Sequence, residues 1–174
     1  MSKHMKTDEI KLLYEYHYWA NKRILETCAR VRPEQYTAPT SMVGYSSLRG
    51  TLVHALDAEW SWRLILQGQR VTQDLATEAD LPTLIDLEER WQAEEQETRA
   101  YLGSLNDEDL NGIVRYPVES GMIRERPLWH CLVHVVNHGT QHRSEAAALL
   151  TGYGQSPGDL DFTVFLNQYL HLPS

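Results

Sequence analysis

The stretch Leu128-Trp129-His130-Cys131-Leu132-Val133-His134-Val135-Val136-Asn137-His138-Gly139-Thr140-Gln141-His142-Arg143 places four histidines at intervals of four residues. An α-helix turns roughly 100° per residue, so successive members lie about 40° apart and one turn above each other. Neighbouring pairs can therefore chelate one ion through their imidazoles. With His138 as reference, Cys131, His134, His142, Glu145 and Leu149 fall within about 40° of it, and His130 about 80° away. Helix geometry alone leaves two chelating pairs open, His138 with His142 or His134 with His138. A third ligand must come from elsewhere in the chain.

Outward from this segment, helical spacing continues from Pro127 to about residue 151. Gly152, Gly154, Pro157 and Gly158 then form a loop, and Asp159 or Asp161 can cap a short last helix ending near Leu170. Upstream, residues 111–126 read as two short extended segments about the turn Glu119-Ser120-Gly121. Three more long helices precede it. The first covers about residues 7–30, with Ile10, Leu13, Tyr14, His17, Asn21, Ile24 and Cys28 on its inner face. The second is capped by Ser46 or Ser47 and runs to Gln67. The third starts around Pro82 and reaches Leu102, with Leu84, Leu87, Trp91, Thr98 and Leu102 inside and its Glu and Arg residues toward water. Residues 33–44, rich in Pro, Ser and Thr, read as a loop. The expectation is one all-α domain over residues 1–174. It is a four-helix bundle with a short fifth C-terminal helix and a small hairpin-like insertion before the last long helix.

The second helix supplies the third imidazole. Around it, Ser47, Ala58, Ser61 and Ile65 lie within about 40° of His54, and Arg49, Glu59 and Arg63 lie on the far side. His54 is therefore expected to point inward. Leu52 and Leu56 then fall on the charged side, which suggests a partner surface, most simply a second copy of the chain.

Composition narrows the classes. The 174 residues are 42% hydrophobic and 23% charged, with 16 Lys and Arg against 24 Asp and Glu and a net charge of −8. An acidic surface repels phosphate backbones, so nucleic acid is not an expected partner. No run of about 18 apolar residues suggests a membrane span, and the polar N-terminus lacks the apolar core of a signal peptide. Cys28 and Cys131 form no CxxC pair, which suits reduced cytoplasmic thiols. ExxH, HExxH, GxSxG, P-loop and Rossmann glycine patterns are all missing, which sets aside di-iron, zincin, serine-hydrolase and nucleotide chemistry.

The segment from Leu128 to Arg143, continued by Leu149-Leu150-Thr151-Gly152 and Asp161, resembles the last core helix of the DinB/YfiT-like metalloenzymes of the DinB superfamily. Tyr18-Trp19-Ala20-Asn21 and Ser47-Leu48-Arg49-Gly50-Thr51-Leu52-Val53-His54 are similar to the same family's patterns. The resemblance implies an up-down-down-up four-helix bundle, commonly dimeric, with metal ligands at His54, His138 and His142. His134 then stands outside the ligand set, as a packed histidine or a hydrogen-bonding helper. Many relatives carry Gln two residues after the Arg of HxxxHR, where this chain has Glu145. That carboxylate is expected to be a fourth ligand, an acceptor behind a ligand, a catalytic base or a simple ion-pair partner.

Three neutral imidazoles suit zinc or nickel, with iron or manganese also open. The resemblance implies a metal-dependent enzyme acting on a small molecule, either as a transferase using a low-molecular-weight thiol or as a hydrolase. The alternative is a non-catalytic damage- or stress-response protein with a structural or scavenged metal. His17 is expected as a satisfied core histidine, and His4, His130 and His171 as surface groups. Asp57 is read as a solvated helix charge and Cys131 as core. Tyr14, Trp19, Trp60, Trp62 and Trp91 are read as packing residues.

Overall fold

A computed structural model describes residues 5–118 and 120–171. Within them the chain is mostly helical, with six α-helices and one two-stranded sheet. His4 lies outside the described residues, as does Glu119 of the expected turn.

Helix α1, Thr7–Cys28, buries Ile10, Tyr14, His17, Asn21, Ile24 and Cys28 along one seam. Tyr16, Tyr18 and Ala20 are buried as well: Phe162 and Phe165 pack edge-on to Tyr16, and the Arg99 guanidinium lies over the Tyr18 ring at 4.3 Å. The segment expected to be a loop contains a short helix α2, Pro33–Thr37. Pro33 has the preset φ of a first helical position, and Gln35 Oε1 accepts the Arg32 N–H at 3.0 Å. Tyr36 anchors this turn in the core.

Helix α3, Leu48–Leu66, takes Ser47 as its cap, whose Oγ accepts the Gly50 N–H at 2.9 Å. Helix α4, Leu84–Ser104, begins two residues after Pro82. Thr83 and Asp86 cap each other there, Asp86 N–H to Thr83 Oγ1 at 3.2 Å and Thr83 N–H to Asp86 Oδ2 at 3.0 Å. Strands β1, Ile113–Pro117, and β2, Ile123–Pro127, pair antiparallel with Arg115 opposite Glu125. Gly121 turns between them at φ +76°. Helix α5, Leu128–Gly152, packs on both α1 and α3, and α4 contacts the same two helices. Helix α6, Phe162–Tyr169, is capped by Asp161, whose Oδ1 accepts the Thr163 N–H at 2.7 Å.

The structure reverses the expected facing of α3. Leu52 and Leu56 are completely buried within the chain, so they give no evidence for a partner surface. Glu59 and Arg63 are buried beside them, and Glu94 of α4 is 0% exposed rather than turned to water. The physical reason is pairing: Arg63 grips Glu94 through Nε at 2.5 Å and Nη2 at 2.8 Å. Glu59 is held by α1 and α4. Charges satisfied in this way can sit on a core face that hydrophobicity alone would leave outside. His54, on the opposite side of α3, is therefore only half-buried and faces a groove between α3 and α5.

Cys28 and Cys131 are buried and unbridged. Among the described residues, no helix is long and apolar enough to cross a membrane.

Candidate metal centre

Three imidazoles meet in that groove. His54 comes from the middle of α3, and His138 and His142 stand one turn apart on α5. Nε2 of His138 lies 3.3 Å from Nε2 of His54 and 3.2 Å from Nε2 of His142. Two nitrogens bound at about 2.0–2.1 Å to one tetrahedral ion would stand about 3.3–3.4 Å apart, so this spacing fits a transition metal. One ligand atom from each of the three lies within 4.8 Å of the other two, and no other side chain among the described residues joins the group.

The protonation states suit ligation. Burial, then the neighbouring His142, lowers the pKa of His54 to about 4. Burial, then His142, His54 and His134, lowers that of His138 to about 4. Both rings are thus neutral near pH 7, with lone pairs available to a cation. His142 is 3% exposed, and its Nδ1 lies 2.8 Å from Glu145 Oε2. With Nδ1–H donated to that carboxylate, Nε2 is left as a bare acceptor facing the other two rings.

The chain matches the DinB family over residues 1–169. It belongs to the DinB family. Similar proteins include Protein DinB of Bacillus subtilis (strain 168), 28% identical over 90% of this chain and 94% of that protein. Another is Uncharacterized protein YizA of the same organism, 25% identical over 72% of this chain and 78% of that protein.

In this DinB-family chain, His134 does not reach the three-nitrogen group. It is exposed, with its ring 5.8 Å from that of His138 and edge-on to Trp62 at 5.0 Å. Burial of its ring still lowers its pKa. His130 and His171 are at the surface. Asp57 is not a solvated charge: its Oδ1 accepts the N–H groups of Leu75 and Ala76 at 2.6 and 2.9 Å. It thereby pins the connection before α4 beside His54. A cleft of about 230 Å³ lies there, with Tyr45, Val53, His54, Asp57 and Asp74 among its walls.

Tyr45 carries no periodic signal and is absent from the sequence reading. Its ring stacks on His54 with centroids 3.8 Å apart and planes at 14°, and meets His142 edge-on at 5.4 Å. Ser46 adopts φ +62° to make this approach. Gly50 permits it, since a β-carbon there would collide with the Tyr45 carbonyl.

A buried polar network backs the histidines of α5. Glu59 accepts from His17 Nε2 at 2.7 Å, Asn21 Nδ2 at 3.2 Å and Trp91 Nε1 at 2.9 Å. Arg143, next to His142, donates through Nη1 to His17 Nδ1 and Asn21 Oδ1, both at 2.8 Å. This assigns His17 as neutral with its proton on Nε2. Burial lowers its pKa in agreement, with Glu59 opposing and Arg143 adding to the effect. Gly139 allows the contact, because a β-carbon there would strike the His17 ring. The network fixes the rotation of α5 and so the direction of His138 and His142. His17 and Asn21, one turn apart on the inner face of α1, were the visible half of this network. Glu59 was missed because it was placed on the outer side.

Proposed function

We propose that this chain is a metal-dependent enzyme that holds one divalent transition ion, zinc or nickel, through Nε2 of His54, His138 and His142. The observation that carries the reading is the position of Glu145. Its carboxylate sits on the far nitrogen of His142 rather than among the converging Nε2 atoms. A structural zinc site is usually closed by a fourth protein ligand, whereas three ligands leave a position for a reactant. This favours catalysis over a structural or scavenged ion.

When bound, the ion would supply Lewis acidity that lowers the pKa of a coordinated water or thiol. The substrate class we propose is a small electrophile, attacked by a low-molecular-weight thiol or by water. Glu145 orients His142 by accepting its Nδ1–H, which suits its position better than the role of general base. Tyr45 covers one side of His54 and restricts solvent there. The contacts of α1 with α5, α5 with α3, α3 with α4 and α4 with α1 support an up-down-down-up four-helix bundle forming one domain. A cytoplasmic homodimer completes the reading. It rests on the family resemblance and the unbridged cysteines, since Leu52 and Leu56 no longer argue for it.

The test is a screen of metal-loaded protein against electrophiles with and without small thiols, repeated with His138→Ala. Turnover that needs both the ion and His138 supports the enzyme. A saturated site with no exchangeable ligand, read by X-ray absorption, would support the structural alternative.

A further inference from the structure

Beyond the three histidines, α3 and α5 frame a second pocket together with the hairpin. The two helices run antiparallel there, since His54 meets His138 and His142 while Trp62, two turns on, meets His134 one turn back. The pocket holds about 180 Å³ and is lined by Trp62, Tyr116, Arg126, His130, Cys131 and His134. His134 stands about 6 Å and His130 about 12 Å along α5 from His138, at 1.5 Å per residue.

The charge of this pocket is unlike that of the chain as a whole. The protein carries a net charge of −8, yet among the described residues no carboxylate lines the pocket. Arg126 donates Nη1–H to the Glu125 carbonyl at 2.8 Å, and among the described residues it has no carboxylate partner. The acid next to it in sequence, Glu125, is paired with Arg115 at 2.8 Å. Burial raises the pKa of Cys131, so its thiol adds no negative charge. By contrast, the cleft beside His54, lined by α3 and the connection before α4, carries Asp57, Asp74 and Glu78. An anion is therefore disfavoured beside Asp57 and Asp74 and drawn toward Arg126.

We propose that the pocket around Arg126, His130 and His134 binds the anionic end group, a carboxylate or a phosphate, of a small molecule whose other end reaches the three-histidine centre. This rests on reading that centre as a metal site. Arg126 provides a planar pair of donors suited to such an anion. Trp62, whose ring lies edge-on to both Tyr116 at 4.9 Å and His134 at 5.0 Å, provides an apolar wall for the connecting chain.

Cobalt-loaded protein titrated with 8-mercaptooctanoate or 8-mercaptooctanol, followed by the sulfur-to-cobalt absorption band, tests the proposal. Wild type should bind the acid about three- to fivefold more tightly than the alcohol, as expected for a solvent-accessible charge pair. Arg126→Ala should abolish that preference without changing cobalt content, and Arg126→Lys should keep part of it. Equal binding of the two thiols by wild type, or a preference surviving Arg126→Ala, overturns the subsite. A second arm needs no metal: inorganic phosphate or acetate should shift the imidazole NMR signals of His130 and His134 in wild type but not in Arg126→Ala. Absence of shifts with both anions also overturns it. A chain that takes up no cobalt but shows these shifts loses its metal centre and keeps its anion pocket, so the two failures are distinct.

Discussion

Glu145 and His142 meet at 2.8 Å through Nδ1, while Nε2 of the same ring stands 3.2 Å from His138. One imidazole thus joins a carboxylate on one side to the candidate metal position on the other. A carboxylate in this place fixes ring orientation and strengthens the ligand. Glu145→Gln should therefore weaken zinc affinity by about 10- to 100-fold while leaving a single site. Competition with a chromophoric chelator measures this, and an unchanged affinity would remove Glu145 from the site.

The Glu59 network predicts the response to acid. Burial opposes the charge of Glu59, but His17, the Trp91 N–H and Arg143 outweigh it and hold the carboxyl below its ordinary range. A depressed carboxyl stabilises the fold above its unfolded pKa of about 4.3, and that contribution is lost as pH falls through the folded value. His17 is also depressed, so below about pH 6.5 the unfolded chain gains a proton that the folded chain refuses. Both effects have the same sign. Urea midpoints should fall as pH drops below about 6.5, and fall more steeply near 4. His54, His138 and His134 are depressed by burial as well and add with the same sign, so His17→Gln should remove a part of the upper slope and leave the rest.

The Arg63–Glu94 pair predicts non-additivity. Glu94→Ala leaves the buried Arg63 guanidinium without its partner and should cost about 3–5 kcal/mol. Arg63→Met combined with Glu94→Leu removes both charges and should cost less than Glu94→Ala alone. Denaturant unfolding of Glu94→Ala and of the double variant, each against wild type, measures the difference. A double variant less stable than Glu94→Ala would show that the pair is worth more than apolar packing.

The reversal on α3 shows where sequence reasoning stops. Four-residue spacing in the segment from His130 to His142 is local, and helix geometry converts it directly into a ladder of rings. The facing of α3 is not local. It depends on partners for Glu59 and Arg63 that come from His17, Asn21, Trp91 and Glu94, 31 to 42 positions away in the chain. Without those partners, the charged side of α3 reads as solvent and Leu52 with Leu56 reads as an interface. Helix α2 escaped because five residues are too few to show a period. Tyr45 escaped because a loop residue has none. Helix geometry also left His134 and His142 equivalent as partners of His138, and the family resemblance separated them. In the fold His142 is buried against His54 and Tyr45, whereas His134 turns toward Trp62.

Whether one ion is shared by His54, His138 and His142 is read most directly by anomalous diffraction at the zinc edge from crystals of the zinc-loaded protein. The predicted result is one peak per chain about 2.0–2.1 Å from Nε2 of all three histidines. That peak should be absent in His138→Ala and kept in His134→Ala. A peak ligated by His134 in place of His142, or no peak in the wild-type groove, would contradict that sharing.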